Sequence, residues 1–302
     1  MPIPESQLET WSKQGATVTS GQIYNSVRTA LEAQNSAIRN LLSRGDAEIY
    51  LQGSYGNGTN IYGDSDVDIV VQLHSTWNRD LSLLPPDQER LYTSTYPNAT
   101  YLWQNFYNDV VMTLRKYYGS GAINLSRKVP KVTSASWNLT ADIVIATDYR
   151  KYLYFYSDAN HSCIIGIRFC IPNEGNREVI NYPKEHRDNG VQKNKETNER
   201  FKPLVRVFKN ARNHLIDNGV ISDDLVPSYF LECLIYNIPP SNFGISFQQS
   251  FYHALSYLAN SDFGSYRCQN EQSELFGNAP EQWRRQNAVD FLSGLINLWA
   301  TW

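Results

Sequence analysis

The chain of 302 residues carries 27 Lys and Arg against 30 Asp and Glu, a formal net charge of −3, and 41% of its residues are hydrophobic. That is enough apolar material for one large domain or two joined lobes with a real core. The charge gives no basis for gripping nucleic acid through its phosphates, so none is expected to be required.

No apolar run reaches membrane-spanning length, and the N-terminus is polar and broken by proline, so a cytoplasmic location without membrane attachment is expected. The four cysteines at 163, 170, 233 and 268 include no CxxC pair, which argues against a disulfide framework or a zinc ribbon.

In chain order, residues 4–14 are expected to form a short leading helix. Ser20 is placed to cap a longer one, whose stripe of Ile23, Val27, Leu31, Ile38, Leu41 and Leu42 runs to Gly45. Residues 50–73 read YLQGSYGNGTNIYGDSDVDIVVQL: a strand end, a turn of small residues, then a second strand. Side chains alternate on a strand, so Asp66 and Asp68 share one face while Val67 and Ile69 take the other. Two carboxylates so close repel one another unless cations sit beside them, and hard oxygen ligands of this kind suit Mg²⁺. The turn before them (Gln52, Gly53, Ser54, Gly56, Gly58) lets backbone approach a phosphate and adds a hydroxyl donor, although it is not a Walker loop.

Pro85 and Pro86 open a helix that Pro97 ends. Residues 100–118 carry an aromatic-rich helix with Leu102, Phe106, Val110, Val111, Leu114 and Tyr117 on its core side. From 122 to 181 the period changes to two, as in strands. Within WNLTADIVIAT (137–147), Asp142 is the one acid on an apolar strand, and a buried carboxylate there needs a cation or a functional partner. His161, Cys163 and Cys170 lie in or beside CIIGIRFC, where an odd separation puts the two sulfurs on opposite faces, so a structural role is expected. Residues 182–200 are polar and read as a crossover, with Lys193 and Lys195 on a solvated face. In FKPLVRVFKNARNHLI, Lys202 and Lys209 lie on nearly the same side. Ser228 and Tyr229 begin a proline-started helix, and helices over 246–260 and about 280–301 close the chain.

The Gly-Ser turn followed by D-x-D resembles the nucleotidyltransferase superfamily of DNA polymerase beta. GSYGNGT followed by SDVD is closer still to the bacterial CD-NTases, relatives of cyclic GMP-AMP synthase and 2′-5′ oligoadenylate synthetase. The resemblance runs from about residue 20 to near the C-terminus. It implies an α+β, two-lobed fold: a polymerase-beta-like core with a mixed sheet over residues 1–181, and a helical-bundle lobe over 182–302 that completes the nucleotide pocket.

It further implies that Asp66, Asp68 and Asp142 are catalytic and hold two Mg²⁺ ions, with Mn²⁺ as a substitute. Gln52, Gly53 and Ser54 would bind nucleotide, Lys209 and Ser228 would grip the donor triphosphate, and Tyr229 would stack on the donor base. The activity implied is synthesis of a cyclic di- or trinucleotide second messenger from nucleoside triphosphates, releasing pyrophosphate, in anti-phage (CBASS) signalling. The implied partners are a downstream effector that binds the product and, in some relatives, a protein activator. A small-molecule (antibiotic) nucleotidyltransferase and a nucleotide-binding sensor of the same fold stay open as alternatives.

Overall fold

A computed structural model of the chain describes residues 1–15, 17–63, 66–137 and 140–302. Ser65 of the SDVD motif, and Asn138 and Leu139 of the strand expected over 137–147, lie outside the described residues. The elements in chain order are α1 (Glu5–Ser12), α2 (Val18–Glu32), α3 (Arg39–Ser43), β1 (Ala47–Leu51), α4 (Gly53–Asn57), β2 (Asp66–Asp80), α5 (Pro86–Thr95) and α6 (Trp103–Tyr118). They continue with β3 (Ile123–Asn124), β4 (Lys131–Val132), β5 (Thr140–Ser157), β6 (Asn160–Ile171), β7 (Arg177–Asn181), α7 (Pro183–Glu196), α8 (Phe201–Asp217), α9 (Ser228–Tyr236), α10 (Phe247–Ala259) and α11 (Arg285–Thr301).

The chain divides into a sheet unit, Val18–Gln52 with Ser65–Pro183, and a helical unit, Met1–Thr17 with Gly53–Asp64 and Lys184–Trp302. This corrects the expected division at 181/182 in two places. The first residues join the helical unit because Ile3 and Leu8 are fully buried in its core. Residues 53–64 join it because Asn57, Gly58 and Thr59 bond to Glu232, Arg206 and Lys209.

In the sheet unit, β2 and β5 pair in parallel, and every other pairing among the described strands is antiparallel. β1 flanks β2; β4 and then β3 extend the sheet from the first part of β5, and β6 and then β7 from its second part. The central strands read as near-continuous apolar runs because both faces are covered: Val67, Ile69, Val70, Val71, Ala141 and Ile143 are fully buried. α6 buries Phe106, Val110 and Leu114 at helical spacing, and Trp103 Nε1 donates to Ile145 O at 2.7 Å. The ends of the expected stripe, Leu102 and Tyr117, are instead about half exposed, at 53% and 48%.

Three local expectations change. Ser20 lies inside α2 rather than capping it, and the long helix breaks after Glu32. There the backbone N–H groups of Ala37 and Ile38 donate to the hydroxyls of Thr113 and Ser36, so side chains replace the helical acceptors. Residues 182–200 are mostly helix, α7, whose buried positions His186, Gly190 and Asn194 repeat every four residues. A Cβ at Gly190 would stand 2.4 Å from Gln269 Nε2, so glycine allows this close packing. Lys193 is not on a freely solvated face: its ammonium lies 5.4 Å from the Tyr236 ring centroid. The cysteines are free, with Cys170 in the apolar packing of β6, and among the described residues no His, Cys, Asp or Glu cluster could hold a zinc ion.

Candidate active site

The aspartates are brought together by strand register. β2 and β5 pair in parallel with Asp66 opposite Thr140 and Asp68 opposite Asp142, and β4 places Lys131 opposite Asp142. Residues in register share a face, and adjacent strands lie about 4.8 Å apart. Asp66, Asp68, Asp142, Thr140 and Lys131 therefore project from one face at one end of the sheet.

Lys131 Nζ lies 2.9 Å from Asp66 Oδ1 and 3.5 Å from Asp142 Oδ1, and the Thr140 hydroxyl donates to Asp66. Partial burial works against ionisation of Asp66, but the Thr140 and Lys131 donors outweigh it, and its carboxyl falls below the usual range. At Asp142, burial dominates; the more distant Lys131 offsets it only in part, and Asp66 adds repulsion, so this carboxyl is pushed up. Asp142 Oδ1 is buried and accepts no hydrogen bond among the described residues. A buried carboxylate oxygen only weakly paired by a cation at 3.5 Å, beside two further carboxylates, is the donor set a hard divalent cation suits. The side chains themselves do not close on a common point: among the described residues no three metal-ligating groups already converge to hold an ion.

The chain leaves the sheet unit after Gln52, whose N–H donates to Asp68 O at 3.0 Å and whose Oε1 is buried without a hydrogen bond among the described residues. Gly53 opens α4 at φ +62° and Gly58 closes it at φ +69°, both conformations that favour glycine. Thr59 N donates back to Ser54 O at 2.9 Å. The expected glycine turn is thus one helical turn between two left-handed glycines.

In the helical unit, Lys209 is fully buried. Its ammonium donates to Glu232 Oε1 at 2.7 Å, Thr59 O at 3.2 Å and Thr59 Oγ1 at 3.4 Å. All three protons are engaged, so the triphosphate contact expected of Lys209 does not fit its place in this structure. Glu232 also accepts from Thr59 Oγ1 at 2.5 Å and Asn57 Nδ2 at 3.1 Å, and lies 3.3 Å from His186 Nε2. Burial alone would push this carboxyl up; Lys209 and His186 reverse that and hold it well below the usual range.

Lys202, near the start of the same helix, is only half-buried, and its ammonium comes within 3.8 Å of where a Cβ on Gly58 would stand. Burial, with Arg206 and Arg187 nearby, lowers its pKa against the pull of Glu199. Ser228 Oγ accepts from Arg212 Nη1 at 3.0 Å. The Tyr229 ring stacks on His186 at 5.2 Å with 25° between planes, and its hydroxyl accepts from Asn270 at 3.3 Å. One face of that ring is therefore already covered. Lys131, Thr140 and Glu232 are additions that sequence reasoning misses, although Glu232 is a lone acid in an apolar helix, the same signal that singles out Asp142.

Known proteins resemble the chain over nearly its whole length. A family model described as the cGAS/DncV-like nucleotidyltransferase C-terminal helical domain matches residues 188–300, and one described as a nucleotidyltransferase domain matches residues 33–107. The chain is 45% identical to the cyclic UMP-AMP synthase of Rhodothermus marinus over 100% of its length and 99% of the relative's. It is 38% identical to the cyclic nucleotide synthase CdnE01 of Staphylococcus haemolyticus over 100% of both chains. The solved structure of the Rhodothermus marinus CdnE c-UMP-AMP synthase with Apcpp and Upnpp superposes with a TM-score of 0.88 at 44% identity, covering 100% of this chain and 98% of that one. The Elizabethkingia meningoseptica CdnE cyclic dinucleotide synthase with GTP and Apcpp does so with a TM-score of 0.75 at 27% identity, over 98% of each. With register-aligned aspartates on a polymerase-beta-like sheet and a C-terminal helical domain of the matching kind, the chain belongs to the cGAS/DncV-like nucleotidyltransferases, the CD-NTases.

Proposed function

We propose that this enzyme joins two or three nucleoside triphosphates into a cyclic oligonucleotide, releasing pyrophosphate, and that the product is a second messenger of anti-phage defence read by a downstream effector. The observation that carries the reading is the β2–β5 register, which sets Asp68 opposite Asp142 and Asp66 two residues away on the same face. Relatives that align over nearly the whole chain are named as cyclic nucleotide synthases, which favours cyclisation over transfer to an antibiotic.

Asp66, Asp68 and Asp142 would hold Mg²⁺, which when bound supplies charge neutralisation for the triphosphate and acidifies the attacking hydroxyl. The chain's own contribution is position. Asp142, opposite Asp68 on the neighbouring strand, orients the ribose hydroxyl for in-line attack on the α-phosphorus. Lys131 balances the carboxylates, and Gly53 and Ser54 present backbone and hydroxyl donors to phosphate. Lys202, beside Gly58, takes the triphosphate role expected of Lys209. Lys209 and Glu232 instead fix the segment that carries Gly53 and Ser54.

The test is incubation of the purified protein with labelled nucleoside triphosphates and Mg²⁺, followed by phosphatase and separation of products. UTP with ATP is the first pair to try, since the Rhodothermus relative is named for UMP and AMP. A phosphatase-resistant cyclic product is expected; only linear or small-molecule adducts would overturn the reading.

A further inference from the structure

Tyr229 and Glu232 lie three residues apart on α9 and so share one side of that helix. Both meet the same residue of α7. The Tyr229 ring stacks on the His186 imidazole, and Glu232 Oε2 stands 3.3 Å from His186 Nε2. His186 is 4% exposed, and its Nδ1 is buried with no hydrogen bond among the described residues, so the imidazole is tethered at one nitrogen. Its backbone is held as well. Gln269 Nε2 donates to His186 O at 2.7 Å, an approach that the missing Cβ of Gly190 allows. The next residue, Asn270, donates to the Tyr229 hydroxyl. The two rings are thus fixed relative to each other at face, edge and backbone.

Tyr229 keeps part of its surface open. Among the described residues no ring besides His186 stacks on it; Phe230 meets it edge-on, at 5.6 Å and 73°. An aromatic side chain backed on one face by a ring that cannot move is a preorganised platform, because little order is left to lose when another ring stacks on it.

The same carboxylate reaches the segment that precedes β2. Glu232 accepts from Asn57 Nδ2 and Thr59 Oγ1, at the end of the turn that Gly53 and Ser54 begin. One buried acid therefore holds both the ring pair and the turn, and sets the spacing between them.

We propose that His186 is a positioning residue for base recognition. It backs the Tyr229 ring, and through Glu232 it holds that ring at a set distance from Gly53 and Ser54, so that a nucleobase completes the column of rings while its triphosphate meets the turn. The inference rests on the nucleoside triphosphate reading above, with Tyr229 as the ring that receives the base.

Calorimetric titration of the whole protein in Mg²⁺ tests this. The probes are Apcpp and Upnpp, whose α–β bridge resists cleavage, and tripolyphosphate, which has no base. His186→Gln keeps a donor toward Glu232 but removes the ring. It should weaken the tighter analogue by about twofold to tenfold, the range that loss of an aromatic pair converts to, and leave tripolyphosphate unchanged. His186→Phe keeps the ring and should retain most of the analogue affinity. Tyr229→Ala should cost more than His186→Gln, about fivefold to a hundredfold, and also spare tripolyphosphate. Undiminished analogue binding by His186→Gln, with Tyr229→Ala impaired, overturns the role of His186 and leaves that of Tyr229. Undiminished binding by Tyr229→Ala overturns both. An equal loss of tripolyphosphate in His186→Gln overturns the proposal, since a loosened fold would weaken both probes. So does a loss in His186→Phe as large as in His186→Gln. Failure of the unaltered protein to bind either analogue removes the nucleotide reading itself.

Discussion

Replacing Glu232 by Gln tests whether the buried Lys209–Glu232 pair organises the helical unit. Glu232 is 3% exposed and Lys209 not exposed at all, with 2.7 Å between their charged atoms. Glutamine keeps the shape and one carbonyl acceptor but removes the charge, leaving the buried ammonium with neutral oxygens only, the amide oxygen of the glutamine and those of Thr59 at 3.2 and 3.4 Å. Removing one partner of a buried pair costs about 3–5 kcal/mol, because the remaining charge stays desolvated. That is about a fifth or more of the roughly 5–15 kcal/mol that a folded domain has in total. At about 2 °C per kcal/mol for a chain of this size, the melting temperature should fall by roughly 6–10 °C. Lys209→Met should cost a similar amount, and Lys209→Met combined with Glu232→Gln clearly less than the sum, with a coupling of about 2–3 kcal/mol. Urea denaturation of the four proteins closes the cycle. Additive single effects, or a loss below about 1 kcal/mol for Glu232→Gln, would refute the assignment.

The other expectations concern chemistry and pH. Asp66→Asn, Asp68→Asn and Asp142→Asn should each abolish product with the melting temperature kept; full turnover by either D-x-D variant in the labelled-nucleotide assay would remove the aspartates from the mechanism. Nucleotide should stabilise the protein in Mg²⁺, by about 2.7 kcal/mol at a hundred times Kd, and this gain should vanish in EDTA as read by thermal unfolding. Lys202→Ala should raise the KM for nucleoside triphosphate by about tenfold at unchanged melting temperature, the opposite signature to Lys209→Met. The His74 ring is held by Asp148 at 2.7 Å and Glu48 at 3.3 Å, which raise its pKa from 6.5 to about 9 against the effect of burial, so its stabilisation is full below pH 6.5 and lost as pH climbs through about 9. With solvent screening at the partly exposed ring that loss is about 1–2 kcal/mol, so His74→Gln should flatten the fall in melting temperature between pH 6.5 and 9, and a parallel fall would contradict the argument.

The D-x-D pair and Asp142 are legible because strand alternation and an acid amid apolar neighbours are local signals, and parallel register merely joins them. Lys131 is not, because it sits on a two-residue strand too short to show a period. Lys209 is misread for a related reason. Helical spacing tells which side of α8 a lysine takes but not what stands opposite. Lys202 meets the segment at Gly58, whereas Lys209 meets Glu232 on α9. α7 is hidden because its packing stripe is a histidine, a glycine and an asparagine, polar or small residues that carry no hydrophobic period. The joining of residues 1–17 and 53–64 to the helical unit is a long-range fact that no local pattern announces.

The β2–β5 pairing also bears on when the protein becomes competent. Asp66 and Thr140 meet across 74 positions of chain, and closing a loop of that length costs about 4 kcal/mol of entropy before any contact repays it. Parallel pairing over such a distance belongs to the slow class of folding events. During synthesis the D-x-D strand emerges well before its partner and must wait for it. A one-residue slip in the final zippering would turn Asp142 and its buried neighbours Ala141 and Ile143 to the opposite faces, so the packing that fixes the register also fixes the site. Substitutions that speed β2–β5 docking are therefore expected to shorten the lag between translation and first turnover without altering the steady-state rate.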